Sequence, residues 1–167
     1  MKRLQFAAIA AVTAVLLTEA FAQKTAQHLL SADELKKAVP AEFYFAGQKA
    51  PTQLRNATGF QNADGKMMFA TLVDASGYST AIQQKYQGML ITECKLKIGN
   101  SELAPGEYGF GFAADRFVVM NVANEDVLSG SYQTDATLAH AVPLKLAEEG
   151  GAYKLYAGKK WIEIKPE

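Results

Sequence analysis

Two histidines and one cysteine are the scarcest chemical groups of this chain. His140 is the sole imidazole in a position to act as a base, with Asp135 and either Ser129 or Ser131 close by in sequence. A serine activated by an imidazole, itself oriented by a carboxylate, is the nucleophile of acyl transfer. Neighbours in sequence do not make such a triad by proximity alone, and the chain has no Gly-x-Ser-x-Gly elbow. Two carboxylates facing one glycosidic bond need no histidine, and Glu93, Glu107 and Asp126 are the acids to consider. Strand alternation puts Glu93 on a polar face, and Glu107 flanks a turn, so solvated surface acids account for both more simply. Metal chemistry asks for converging ligands. Asn62-x-Asp64-Gly65 and Asn124-Glu125-Asp126 are the nearest approach to a calcium loop, and the first lacks the further acids such a loop needs. No metal and no cofactor are expected. Cys94 shares strand parity with Leu90, Thr92, Leu96 and Ile98, which makes it a small core hydrophobe rather than a reactive thiol.

Aromatic residues remain. Tyr108, Phe110 and Phe112 project from one face of a strand, while Gly109 and Gly111 occupy the other. Core packing is the ordinary account of such a stripe. The sharper account is an apolar pocket for a small ligand. The two glycines fit both, because a missing side chain lets a backbone or a ligand approach closely. Tyr78 and Tyr86 lie at fourfold helical spacing with Ile82, so one helix face carries all three. An aromatic edge covering a sheet is the simpler reading of that face, and a recognition surface the sharper one. Tyr78, Tyr86, Tyr108, Phe110 and Phe112 are therefore the candidate ligand-binding residues, with no catalytic residue among them.

The elements that position these residues follow from periodicity. Ser31-Ala-Asp-Glu34 is a capping box, and Pro40 stops the short helix it begins. From Glu42 onward the period changes to two. Strands are expected at Glu42–Ala46, Leu54–Gln61, Lys66–Val73, Met89–Ile98, Glu107–Ala113, Arg116–Val122, Val142–Leu146, Ala152–Tyr156 and Lys160–Lys165. A second short helix is expected over Tyr78–Gln87. Turn chemistry at Asn62-Ala-Asp-Gly65, Gly99-Asn100, Ala114-Asp115 and Glu149-Gly-Gly151 separates them. The pattern predicts an all-β fold, an antiparallel β-sandwich or small β-barrel of roughly eight or nine strands with two short helices.

Lys2 and Arg3, the apolar run Leu4–Leu17 and Ala20-Phe21-Ala22 have the order of a secretory signal peptide cut before Gln23. The run is short of the roughly 20 apolar residues a membrane span needs. Residues 1–22 are thus read as a signal peptide and 23–167 as a single β-rich domain, of which 23–30 is a flexible lead-in. The whole chain has a net charge of zero and no basic run. Nucleic acid and acidic membrane surfaces are therefore poor partners. A short positive start and no disulfide framework point to a bacterial export route, with periplasm or medium as the destination.

One stretch has a family look. Leu103-x-Pro105-Gly106-x-Tyr108 follows a strand and a glycine turn and leads into an aromatic strand. It resembles hairpins of secreted bacterial β-domain families of unknown function, and Tyr153-Lys-Leu-Tyr-Ala-Gly158 resembles their C-terminal end. The resemblance implies an all-β secreted domain and brings no catalytic residues with it. The expected function is that of an exported, non-enzymatic binding module for a small apolar ligand or an envelope protein. An envelope-directed hydrolase, and a structural or assembly protein using an exposed sheet edge, are the alternatives.

Overall fold

Ser31 begins the first helix as its cap chemistry requires. The computed structural model describes residues 26–167, so residues 1–22, read above as a signal peptide, and residues 23–25 lie outside it. In helix α1 (Ala32–Ala38) the Ser31 hydroxyl accepts from the Glu34 N–H, and the Glu34 carboxylate accepts from the Ser31 N–H at 2.8 Å. Leu35 is the residue α1 buries, and the Val39 N–H closes the last turn on the Leu35 carbonyl before Pro40. Just ahead of the helix, β1 (His28–Leu29) pairs with the far end of a long strand, β3 (Gln48–Gln61). Residues 28 and 29, within the stretch expected as a lead-in, are strand residues. The Leu30 N–H donates to the Gly59 carbonyl, and a Cβ on Gly59 would stand 2.7 Å from Leu30 Cδ1, so the missing side chain is what admits Leu30 to the core.

The remaining strands are β2 (Glu42–Phe45), β4 (Met67–Val73), β5 (Gly88–Thr92), β6 (Leu96–Ile98), β7 (Ser101–Leu103), β8 (Gly106–Phe112) and β9 (Phe117–Met120). They continue with β10 (Asp126–Gly130), β11 (Gln133–Thr134), β12 (Val142–Glu149), β13 (Ala152–Gly158) and β14 (Lys160–Pro166). The chain is mostly β, with two short helices and two antiparallel sheets. One sheet runs β1-β3-β4-β5-β8-β9-β10, with β2 on β3, and the other runs β12-β13-β14-β6-β7, with β11 on β14. Among the described residues there are fourteen strands rather than eight or nine.

The clearest cause of the extra strands is at Thr92–Lys95. Periodicity reads Met89–Ile98 as one strand, and its alternation survives: Leu90, Thr92, Cys94, Leu96 and Ile98 are all buried. The backbone nevertheless bends there. The Thr92 hydroxyl donates to the Cys94 carbonyl at 2.7 Å, and the chain leaves one sheet as β5 and enters the other as β6.

Between the sheets lies a shared apolar cluster. Phe60, Met68, Leu90 and Phe110 come from the larger sheet, and Leu96, Tyr153, Leu155 and Ile162 from the smaller. Phe60 stacks on Tyr153 with ring centroids 4.3 Å apart. Neither sheet closes into a barrel. Where β12 nears β3, the Leu146 N–H donates to the Thr58 hydroxyl, a side-chain contact that stands in for a backbone ladder. A second cluster covers the other face of the larger sheet. There α1, the β2–β3 hairpin and the segment around Tyr78–Tyr86 pack on Phe69, Met89, Val118 and Met120.

The second helix, α2, spans only Thr80–Gln83, not Tyr78–Gln87. Its cap residue Ser79 makes no side-chain hydrogen bond, and both flanking tyrosines are held elsewhere. The Tyr78 hydroxyl donates to the Phe45 and Gln48 carbonyls, and Tyr86 stacks flat on Phe45 with centroids 4.0 Å apart. Tertiary packing of the two rings thus overrides a weak local helix preference.

Candidate functional site

Strand parity builds a cleft with apolar walls and a single lysine at its edge. On β14, Lys160, Ile162 and Ile164 share a face; the two isoleucines fill the layer between the sheets, and Lys160 comes at its end. Its long stem carries the ammonium across to the other sheet. There it donates to the Ala113 carbonyl at 3.3 Å and lies 4.5 Å from the centre of the Tyr132 ring. Beside it the layer opens as a cleft of about 620 Å³. Leu72 near the end of β4, Phe112 at the end of β8 and Ala157 of β13 line it from the layer between the sheets, and Val73 and Tyr86 reach it from the cluster on the other face of the larger sheet.

The rim is polar, and its amides are already engaged. Gln87 uses its carboxamide as one more strand residue: Oε1 accepts from the Phe112 N–H at 3.0 Å and Nε2 donates to the Phe112 carbonyl at 3.2 Å. Gln53 donates to the Val73 carbonyl, and Gln83 to the Tyr78 carbonyl. Gln53 reaches the cleft because β3 bulges between Thr52 and Ala57, which takes this stretch out of the β4 ladder. Among the described residues no acid lines the cleft, and no carboxylate pairs with Lys160.

Of the five candidate binding residues, Tyr86 and Phe112 line this cleft. Tyr78 stands behind Tyr86, edge to ring at 5.3 Å, fully within the core. Phe110 is wholly buried between the sheets. Tyr108 lies farther along β8, its hydroxyl donating to the Ala104 carbonyl. The close approach at the β8 glycines is made by protein: a Cβ on Gly109 would stand 2.5 Å from the Phe45 ring, and one on Gly111 would run into the Lys85 backbone carbonyl. Tyr86 has a further peculiarity. Its hydroxyl is enclosed and has no hydrogen-bond partner among the described residues, and burial raises its ionisation above the ordinary phenol range.

The catalytic candidates do not assemble. His140 is exposed in the loop before β12, while Asp135 accepts from the Thr137 N–H, the Thr137 hydroxyl and the Tyr156 hydroxyl. Those bonds, led by the Thr137 hydroxyl, hold the Asp135 carboxyl below its usual range. Glu93 accepts from the Met67 N–H at 2.8 Å, and Asp126 pairs with Lys85 at 2.7 Å. Asn62 folds its side chain back to accept from the Asp64 and Lys66 N–H groups, which makes its segment an Asx turn. Among the described residues no three His, Cys, Asp or Glu side chains gather as metal ligands. Cys94 is buried, and desolvation raises its thiol.

Lys160, Leu72, Gln87 and Ala157 were not on the sequence's candidate roster. Lys160 had a signal, since it shares parity with Ile162 and Ile164 in a strand that periodicity finds. The others meet only through the pairing of distant strands. No family model, curated protein or solved structure matches this chain.

Proposed function

We propose that this chain is an exported, non-enzymatic binding module built on a β-sandwich, and that it holds a small, largely apolar ligand at one end of the layer between its sheets. The observation that carries the reading is the cleft of about 620 Å³ walled by Leu72, Val73, Phe112 and Ala157. Its volume falls within the roughly 300–1,000 Å³ of small-molecule sites. The stacked arrangement of two antiparallel sheets over one shared cluster supports the sandwich. The N-terminal pattern of residues 1–22 and the Leu103-x-Pro105-Gly106-x-Tyr108 hairpin support export and kinship with secreted bacterial β-domains. Periplasm or medium is then where the ligand, or an envelope protein that delivers it, is met. No helix among the described residues is long and apolar enough to cross a membrane.

Native mass spectrometry of the protein recovered from a secreting bacterial host tests the ligand. A reproducible added mass, lost on denaturation, is the expected result; bare protein at every concentration would count against a carrier. The same spectrum reads the export step, since a chain cut before Gln23 has a defined mass. An uncut chain in the soluble fraction would remove the export reading.

A further inference from the structure

The binding reading leaves the ligand's polar end open, and the cleft constrains it. Resting on that reading, we propose that the cleft takes a singly charged anionic amphiphile, a carboxylate with an apolar tail, and that Lys160 selects its head group. Lys160 is the cleft's charged residue, and its ammonium is held by two neutral groups, the Ala113 carbonyl and the face of Tyr132. Both fix its position, and neither neutralises it. Other described lysines, Lys36 and Lys97 among them, also lack a close carboxylate; what sets Lys160 apart is that it borders the apolar cleft.

The wall beside Lys160 is apolar, and the nearby carboxamides of Gln53 and Gln87 are spent on backbone groups. A neutral alcohol or sterol would leave the ammonium uncompensated. A dianionic phosphate would bring a second charge with no second cation to meet it. One carboxylate matches one ammonium, and a tail laid over Phe112 and Leu72 removes apolar surface from water. Lysine suits this role because it acts as a point charge and does not demand the two-pronged geometry of arginine pairing.

Displacement of a fluorescent naphthylamine probe by decanoate and by 1-decanol, matched in chain length, tests the head group. Decanoate should compete about ten- to a hundredfold more strongly in the wild type, the range expected of a charge-assisted hydrogen bond. Lys160→Gln should remove that preference, so that decanoate and 1-decanol displace the probe about equally. Lys160→Arg, which keeps the charge, should retain most of it and guards against a variant that merely misfolds. Equal competition by the two ligands in the wild type would overturn the anion assignment and leave the apolar binding module standing. A preference that survives Lys160→Gln would overturn the role of Lys160. A folded wild type that binds neither the probe nor either ligand would sink the binding module itself, and this inference with it.

Discussion

At the scale of single residues, burial decides what each polar group can do. Tyr86 contributes a ring to the stack on Phe45 and a hydroxyl that finds no partner. An enclosed, unsatisfied hydroxyl carries a desolvation penalty with nothing to offset it. Tyr86→Phe keeps the stack and should raise stability by about 1 kcal/mol, read from the urea midpoint; a loss of similar size would mean that the hydroxyl has a bound partner. His28 is the opposite case. Nδ1 faces the Ala26 carbonyl and Nε2 faces the Glu34 carboxylate, both at 3.1 Å, so two acceptors favour the doubly protonated ring. The Ala26 carbonyl, then Glu34, raises the His28 pKa above 6.5. The Ser31 side chain and N–H, then His28, lower that of Glu34 from 4.5 to about 2. The Glu34 contribution to stability is complete above 4.5 and lost as pH falls through about 2. The His28 contribution is complete below 6.5 and lost as pH rises through its elevated folded value. The clasp between β1 and α1 is therefore strongest from about pH 4.5 to 6.5. In an NMR titration, Glu34→Gln should lower the His28 midpoint without bringing it fully to 6.5, because the Ala26 carbonyl remains; an unchanged midpoint would remove Glu34 from the clasp.

At the scale of elements, the β2–β3 hairpin shows local strain held by tertiary packing. Phe45 pairs with Gln48, so Ala46 and Gly47 form a two-residue turn. Both have positive φ, 48° and 80°, as a type I′ turn demands. Gly47 adopts this freely. Ala46 does not, and its persistence there reflects what surrounds it: its N–H donates to the Val122 carbonyl, and Phe45 is locked beneath Tyr86. Ala46→Asn supplies the residue such turns prefer and should stabilise the protein by about 0.5–1 kcal/mol, measured by thermal or chemical unfolding. A neutral or destabilising result would mean that the Ala46 methyl contributes more through packing than its backbone loses. The capping box of α1 and the turn at Asn62-Ala-Asp-Gly65 were both readable from spacing, because each is satisfied within a few residues. The boundaries of α2 were not, because Phe45, more than thirty residues away, decides where Tyr78 and Tyr86 turn.

At the scale of the whole molecule, the passage at Thr92–Lys95 joins the two sheets, and Cys94 sits inside it at 2 % exposure. Its thiol is buried within the cluster the two sheets share. Cys94 should react with a thiol reagent in native buffer only at the rate of global opening, and fully in denaturant. Rapid native labelling would show that this end of the layer opens on its own. The shared cluster also explains why the cleft stays at the rim. Phe110 and the Phe60–Tyr153 stack fill the interior of the layer, and the cleft lies beyond Phe112, where the first residue of β14 is Lys160.

The sequence by itself determined the β class, several of the antiparallel hairpins with their turn residues, the capped first helix and the buried side of Glu42–Ala46 and Met89–Ile98. These depend on period two, on capping spacing and on glycine's freedom in turns, all properties of a few adjacent residues. Of the aromatic residues singled out by type and spacing, Tyr86 and Phe112 line the cleft. Only the tertiary structure decided that one ten-residue strand divides between two sheets, that two short helices and a hairpin cover one face, and that Lys160 meets Leu72 and Phe112 across the layer. Alternation says which face of a strand is apolar, but not which sheet that face packs against. That choice rests on contacts between residues far apart in the chain, such as Phe60 and Tyr153, and on where a single threonine hydroxyl bends the chain.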